Sequence, residues 1–111
     1  MKFIATNNKG FRIKFSNGYA VSVQWGPENY CERKSYNDIN PREERTWNSK
    51  TAEIAVFNPS DGFVSIGDGD VVRGWVTPDD VAEVMSIVSS GKEDGKISKQ
   101  IKSFFNGQKT I

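Results

Sequence analysis

Apolar and polar positions alternate through the first quarter of the chain. Phe11, Ile13 and Phe15 are separated by Arg12 and Lys14, and Tyr19, Val21, Val23 and Trp25 by Ala20, Ser22 and Gln24. A period of two is the signature of strands with one face in the core and one in water. Ser16-Asn17-Gly18 lies between the two runs, and Asn-Gly supplies the positive φ angles that a tight hairpin needs. Met1 to Thr6 reads as an earlier strand, joined through Asn7-Asn8-Lys9-Gly10, so the three form a meander.

The pattern stops at Gly26 and resumes at Thr51. The stretch between, about 26–50, has no sustained period and contains Pro27 and Pro41, with a short helix possible over Arg42-Glu43-Glu44-Arg45. Long connections of this kind tend to be functional. Ala52, Ile54 and Val56 then alternate with Glu53 and Ala55 as a further strand. Phe57 to Phe63 reads as a turn around Pro59 and Asp61-Gly62, and Phe63–Ile66 and Val71–Val76 flank Gly67-Asp68-Gly69-Asp70 as a second hairpin.

Thr77-Pro78-Asp79-Asp80 opens a helix: Thr77 caps, Pro78 suits the first helical position, and the aspartates favour the positive end of the dipole. Val81, Val84, Met85 and Val88 give it one buried stripe, and Ser89-Ser90-Gly91 ends it. A second helix runs from about Gly95 to Asn106, with Ile97, Ile101, Phe104 and Phe105 on its apolar face and Gly107 as its stop. Strands first and helices last predict an α+β fold. An antiparallel sheet of about five to six strands, in two hairpin or meander units, carries the two C-terminal helices packed on one face. The expected core is Phe11, Ile13, Phe15, Val21, Val23, Ile54, Val56, Val84, Met85, Val88, Ile101 and Phe104. At 111 residues the chain suits a single domain, 1–111, with the long loop as its one irregular part.

Composition narrows the chemistry. There is no histidine and one cysteine, Cys31. Ser-His-Asp and Cys-His mechanisms, histidine metal sites and an internal disulfide are therefore closed to a single chain. The expectation is a protein that is not an enzyme, with no cofactor and no metal. Asp61, Asp68 and Asp70 do not match the EF-hand spacing and read as turn residues. No apolar run reaches the ~18–20 residues of a membrane span, and nothing resembles a signal peptide, so no membrane contact is expected.

The formal net charge of +1 conceals segregation. Residues 1–25 carry four bases and no acid, residues 51–90 one base against seven acids, and residues 91–111 five lysines against two acids. Such blocks either neutralise one another within the fold or pair two chains head to tail, so a homo-oligomer is possible. Lys92, Lys96, Lys99 and Lys102 line the polar side of the last helix. That is an ordinary solvated face or, as a third reading, a nucleic-acid contact. Arg12 and Lys14 give a strand a basic face, but strand parity sends Tyr19 and Trp25 to the opposite one, which speaks against single-stranded nucleic acid there. Nucleic acid is an unlikely partner on both counts.

The binding candidates fall in the long loop: Tyr30, Arg33, Tyr36, Arg42, Arg45 and Trp47. Tyr, Trp and Arg are the residue types enriched at interface hot spots. The same set could also stack on and ion-pair with a small nucleotide-like ligand.

Three stretches carry a resemblance: Lys9–Tyr19 continuing to Trp25–Cys31, Thr51–Phe57, and Gly74–Val84. Over about residues 1–88 the chain resembles small accessory proteins of tailed bacteriophages. The resemblance brings no functional residue with it. It implies a protein of the host bacterial cytoplasm that binds and inhibits a host factor without chemistry, such as an anti-defence protein. A bacterial defence or regulatory protein is the leading partner, and sequestration of a nucleotide-like signal is the alternative.

Overall fold

The computed structural model describes residues 1–6, 10–26, 29–32, 48–67 and 69–107. Six strands precede two helices: β1 (Lys2–Ala5), β2 (Gly10–Lys14), β3 (Ala20–Gln24), β4 (Ala52–Phe57), β5 (Phe63–Val64), β6 (Val72–Val76), α1 (Pro78–Ser89) and α2 (Asp94–Gly107). The fold is α+β. All pairings are antiparallel, in the order β1-β2-β3-β4, and the far side of β4 is shared between β5 and β6. The register aligns Ile13 with Val21 and Val23 with Ile54, so the alternating apolar residues of successive strands meet on one face.

Both helices lie on that face. Val21, Val23, Ile54, Val56, Val64, Ile66 and Val76 from the sheet side close over Val84, Val88, Ile97, Ile101 and Phe105. Burying this set at ~25 cal/mol per Å² of apolar area is what holds the helices down. Phe105, not Phe104, is the buried phenylalanine of α2. Ile97, Ile101 and Phe105 recur every four residues and share a stripe, and Phe104 packs at its margin. Phe11, Ile13, Phe15 and Met85 are likewise only partly buried, because the helices sit over the middle of the sheet and leave its β1–β2 side thinly covered. Tyr19, Val64 and Ile66 are core residues outside the expected core set, although Tyr19 belongs to the alternating run.

The first hairpin differs from expectation. Of Asn17 and Gly18 only Gly18 has a positive φ, at 89°. The loop closes through Phe15 N–H to Tyr19 C=O, which makes it a three-residue turn ending in a left-handed glycine. Asn17 is therefore free for another task. Its Nδ2 donates to the carbonyls of Val88 at 2.8 Å and Gly91 at 2.9 Å, and its Oδ1 accepts from Tyr19 N–H. It adds a side-chain donor to the Val88 carbonyl, which also accepts from Gly91 N–H, and to the Gly91 carbonyl just beyond α1.

A second clasp holds α2. Tyr19 Oη donates to Asp94 Oδ1 at 2.5 Å, and Asn58 Nδ2 donates to Asp94 Oδ2 at 2.9 Å. Asn58 Oδ1 in turn accepts from the N–H groups of Ser60 and Gly62. One carboxylate at the first residue of α2 thus ties the helix to the turns on either side of β3 and β4. Both bonds favour the charged carboxyl. Donation from Asn58 and then Tyr19 holds Asp94 below its ordinary range, and the same Asp94 bond pushes Tyr19 up to about 12.

Candidate functional site

Of the six residues expected to bind, Tyr30 lies in the described part of the chain. Arg33, Tyr36, Arg42, Arg45 and Trp47 lie outside the described residues, as do Asp68 and the helix expected near Pro41. What the structure does give is the base on which the loop stands. Glu32 N–H donates to Thr51 Oγ1 at 2.9 Å, and Lys50 N–H donates to Glu32 Oε2 at 2.6 Å. Tyr30 N–H donates to Glu53 Oε2 at 3.0 Å. The two ends of the loop are thereby tied together beside β4. Cys31 is buried in this base with Sγ 3.6 Å from the Gly26 carbonyl, a small apolar filler.

Tyr30 meets β6 at an irregularity. Between the pairs Ala52–Val76 and Ile54–Arg73, the residues Gly74 and Trp75 stand opposite the single residue Glu53. This is a β-bulge, which bends a strand and re-aims its side chains. Trp75 N–H donates outward to the Tyr30 carbonyl at 2.8 Å. Gly74 is required here: a Cβ would lie 2.3 Å from the Cβ of Tyr30. Trp75 itself sits at φ 52°, in the left-handed region that a bulky residue rarely enters.

The outcome is an aromatic pair on the surface. The rings of Tyr30 and Trp75 are 5.6 Å apart, and the two residues are 45% and 57% exposed. Such a conformation persists where the surroundings enforce it, and it concentrates at functional positions. Trp75, Gly74 and Glu53 were not among the expected site residues. The signal was present, since a glycine inside a run otherwise rich in β-formers marks a bulge or a close approach of backbone.

The parity argument for the first hairpin holds, because Trp25 packs edge-on against Phe11 at 6.3 Å on the helix side. The later strands change the other face. Arg12 lies over the Phe57 ring at 4.2 Å and binds Asp61 at 2.9 Å, and Phe57 stacks on Phe63 at 4.8 Å. Asp61 is a turn residue with φ 63° whose carboxylate is engaged by Arg12.

On the helix side a cavity of about 300 Å³ opens between Phe11, Val23, Trp25, Val76 and Val81, with Ser49 and Thr51 on its rim. That is the lower end of the size range of small-molecule sites. Among the described residues no cluster of metal-ligating side chains occurs and no helix is long and apolar enough to cross a membrane. No protein-family model, curated protein or solved structure matches this chain.

Proposed function

We propose that this chain is a non-enzymatic phage accessory protein that binds and inhibits a bacterial host factor, of the anti-defence kind, in the host cytoplasm. The observation that supports it is the Tyr30–Trp75 pair, two hot-spot residue types exposed together at the foot of the long loop on a strained bulge. The left-handed backbone of Trp75 carries a conformational cost while more than half of the residue stays exposed. A partner that covers the pair gains apolar burial from two large rings whose positions are already fixed. The loop residues Arg33, Tyr36, Arg42, Arg45 and Trp47 stay binding candidates in this reading by residue type.

Capture from infected-cell lysate followed by native mass spectrometry tests it, run with the intact chain and with Tyr30→Ala/Trp75→Ala. A host protein retained by the intact chain and lost from the variant is the expected result. A host protein retained equally by both would remove the aromatic pair from the argument. The alternative, sequestration of a nucleotide-like ligand, draws on the cavity beside Trp25; it is favoured instead if the captured species is a small molecule and no protein.

A further inference from the structure

Strand parity turns Tyr19 and Trp25 away from the basic face of the first hairpin, but β4 and β5 bring two other rings to it. Lys2 stands opposite Lys14, Lys14 opposite Ala20, Ala20 opposite Phe57, and Phe57 opposite Phe63. Directly opposed residues point to the same side of a sheet, so these five form one row across β1 to β5. The row lies on the side away from the helices. Tyr19 and Val21 on either side of Ala20 belong to the core cluster beneath the helices, whereas Phe57 and Phe63 do not. Four strand spacings of ~4.8 Å make the row about 19 Å long.

Its two ends differ in chemistry. Lys2 and Lys14 are a like-charged cross-strand pair, and neither has an ion-pair partner among the described residues. Among the strand residues Glu53 is the one acid, and it accepts from Tyr30 N–H at the opposite end of β4 from Phe57. The Asp61 carboxylate, from the turn before β5, binds Arg12 and holds its guanidinium 4.2 Å from the centre of the Phe57 ring. At the far end Phe63 is 53% exposed, with its ring 4.8 Å from that of Phe57. A half-exposed ring is thus braced by a second ring, which itself carries a guanidinium.

Cations at one end of a track and a braced aromatic ring at the other match what a single strand offers, phosphates and flat bases. We propose that this row binds single-stranded nucleic acid, with Lys2 and Lys14 on its phosphates and Phe63 stacked on a base. Its length of about 19 Å spans several phosphates of one strand, more than a free nucleotide reaches. An acidic peptide would satisfy the lysines and leave the rings without a flat partner. A duplex keeps its base faces inside its own stack. Tyr30 and Trp75 lie at the Glu53 end of β4, so binding at this row does not rest on the reading of function above.

Fluorescence anisotropy with a labelled oligothymidylate about 10 nucleotides long, within the usual site size of a small single-strand-binding fold, tests this. The intact chain is compared with Lys2→Gln/Lys14→Gln, Phe63→Leu, Phe63→Tyr and Lys92→Gln/Lys96→Gln/Lys99→Gln, each checked for folding by circular dichroism. The intact chain should bind at low salt and release the oligonucleotide as salt rises. Loss of Lys2 and Lys14 should lower the slope of log affinity against log salt by about 1.4, at ~0.7 for each phosphate contact on a single strand. Phe63→Leu should weaken binding roughly tenfold with the slope unchanged, and Phe63→Tyr, which keeps the ring, should bind as the intact chain does. If Phe63→Leu does not fold, the slope of the lysine variant decides. The α2 lysine variant should also bind as the intact chain does. No binding by the intact chain overturns the proposal, as does binding that is lost with the α2 lysines and kept without Lys2 and Lys14. Equal binding of a duplex overturns it too, since charge alone would then suffice. So does an oligoglutamate of matched charge that displaces the probe as well as unlabelled oligothymidylate does, which would assign the face to an acidic peptide.

Discussion

Trp75 costs the fold something that a glycine would not. A left-handed conformation carries roughly 1–2 kcal/mol for a residue with a Cβ, and Trp75 holds one at φ 52°. Trp75→Ala removes the ring contact with Tyr30 and keeps the strain, whereas Trp75→Gly removes both. The glycine variant should therefore be the more stable of the two by about 1 kcal/mol, read from urea midpoints. Both should lose binding equally. Equal stabilities would mean that the bulge holds no strain at this position.

Tyr19 and Asp94 bring pH into the residue scale. The folded pKa of Tyr19 is raised from 10.0 to about 12, so its contribution is complete below pH 10 and is lost as pH rises through about 12. Asp94 is shifted the other way, so its contribution is present above its ordinary 3.8 and is lost as pH falls through the lower folded value. Asp94→Asn should flatten the acid limb and return Tyr19 toward 10, seen as tyrosinate absorbance appearing earlier in an alkaline titration. An unmoved Tyr19 would show that its burial, and not the Asp94 bond, sets its titration.

At the scale of elements, α1 begins where Thr77 and Pro78 place it. The Thr77 side chain accepts from Asp80 N–H, the Asp80 carboxylate accepts from Thr77 N–H, and the helix runs from Pro78. Thr77→Ala should cost ~1 kcal/mol by the capping rule. Its other end depends on Asn17, 71 residues away from Val88, and nothing local announces that. Asn17→Ala should cost a similar ~1–3 kcal/mol and loosen the helix end, visible as faster amide exchange near Ser89 and Ser90. If exchange there is unchanged, water replaces the side chain without penalty.

The strands and helices were legible because alternation and helical spacing are local consequences of burial, and Asn-Gly, Pro and Thr sit where backbone sterics require them. The use of Asn17, the choice of Phe105 over Phe104 and the burial of Ile66 depend on which elements meet, and a period does not specify that. Of the candidate site, Tyr30 was named from the sequence. Trp75 was hidden because a bulge interrupts the parity that the strand pattern relies on, and Gly74 was the one local mark of it.

The whole molecule shows how the charge blocks are used. Arg12 from the basic first quarter reaches Asp61 in the acidic segment, so part of the segregation is neutralised inside one fold. The lysines of the last segment behave differently. Ile97, Ile101 and Phe105 are buried against the rest of the core, and Lys92, Lys96 and Lys99 stay exposed on the other side of α2 or just before it, with Lys102 half-buried. Lys96 lies 3.5 Å from Glu93, a surface pair of small energetic weight. Burial of the apolar stripe already accounts for this helix, and the lysines keep its outer face in water. Replacing Lys92, Lys96, Lys99 and Lys102 by Gln should therefore leave the melting temperature close to that of the parent and, under the proposed function, leave capture of a host protein unchanged. Truncation after Gly91 should instead unfold or aggregate the protein, because Val64, Ile66 and Val84 would be exposed as an apolar patch. A nucleic-acid role makes the opposite demand on the same four residues. The intact chain would retain an oligonucleotide on a filter at low salt and release it at high salt, with a slope that falls as lysines are removed. Filter binding at two salt concentrations, on the intact and the Gln-substituted chain, separates the two. Retention that vanishes with the lysines would assign α2 to nucleic acid, and retention that survives their loss, or its absence in both, leaves the helix as the lid of the core.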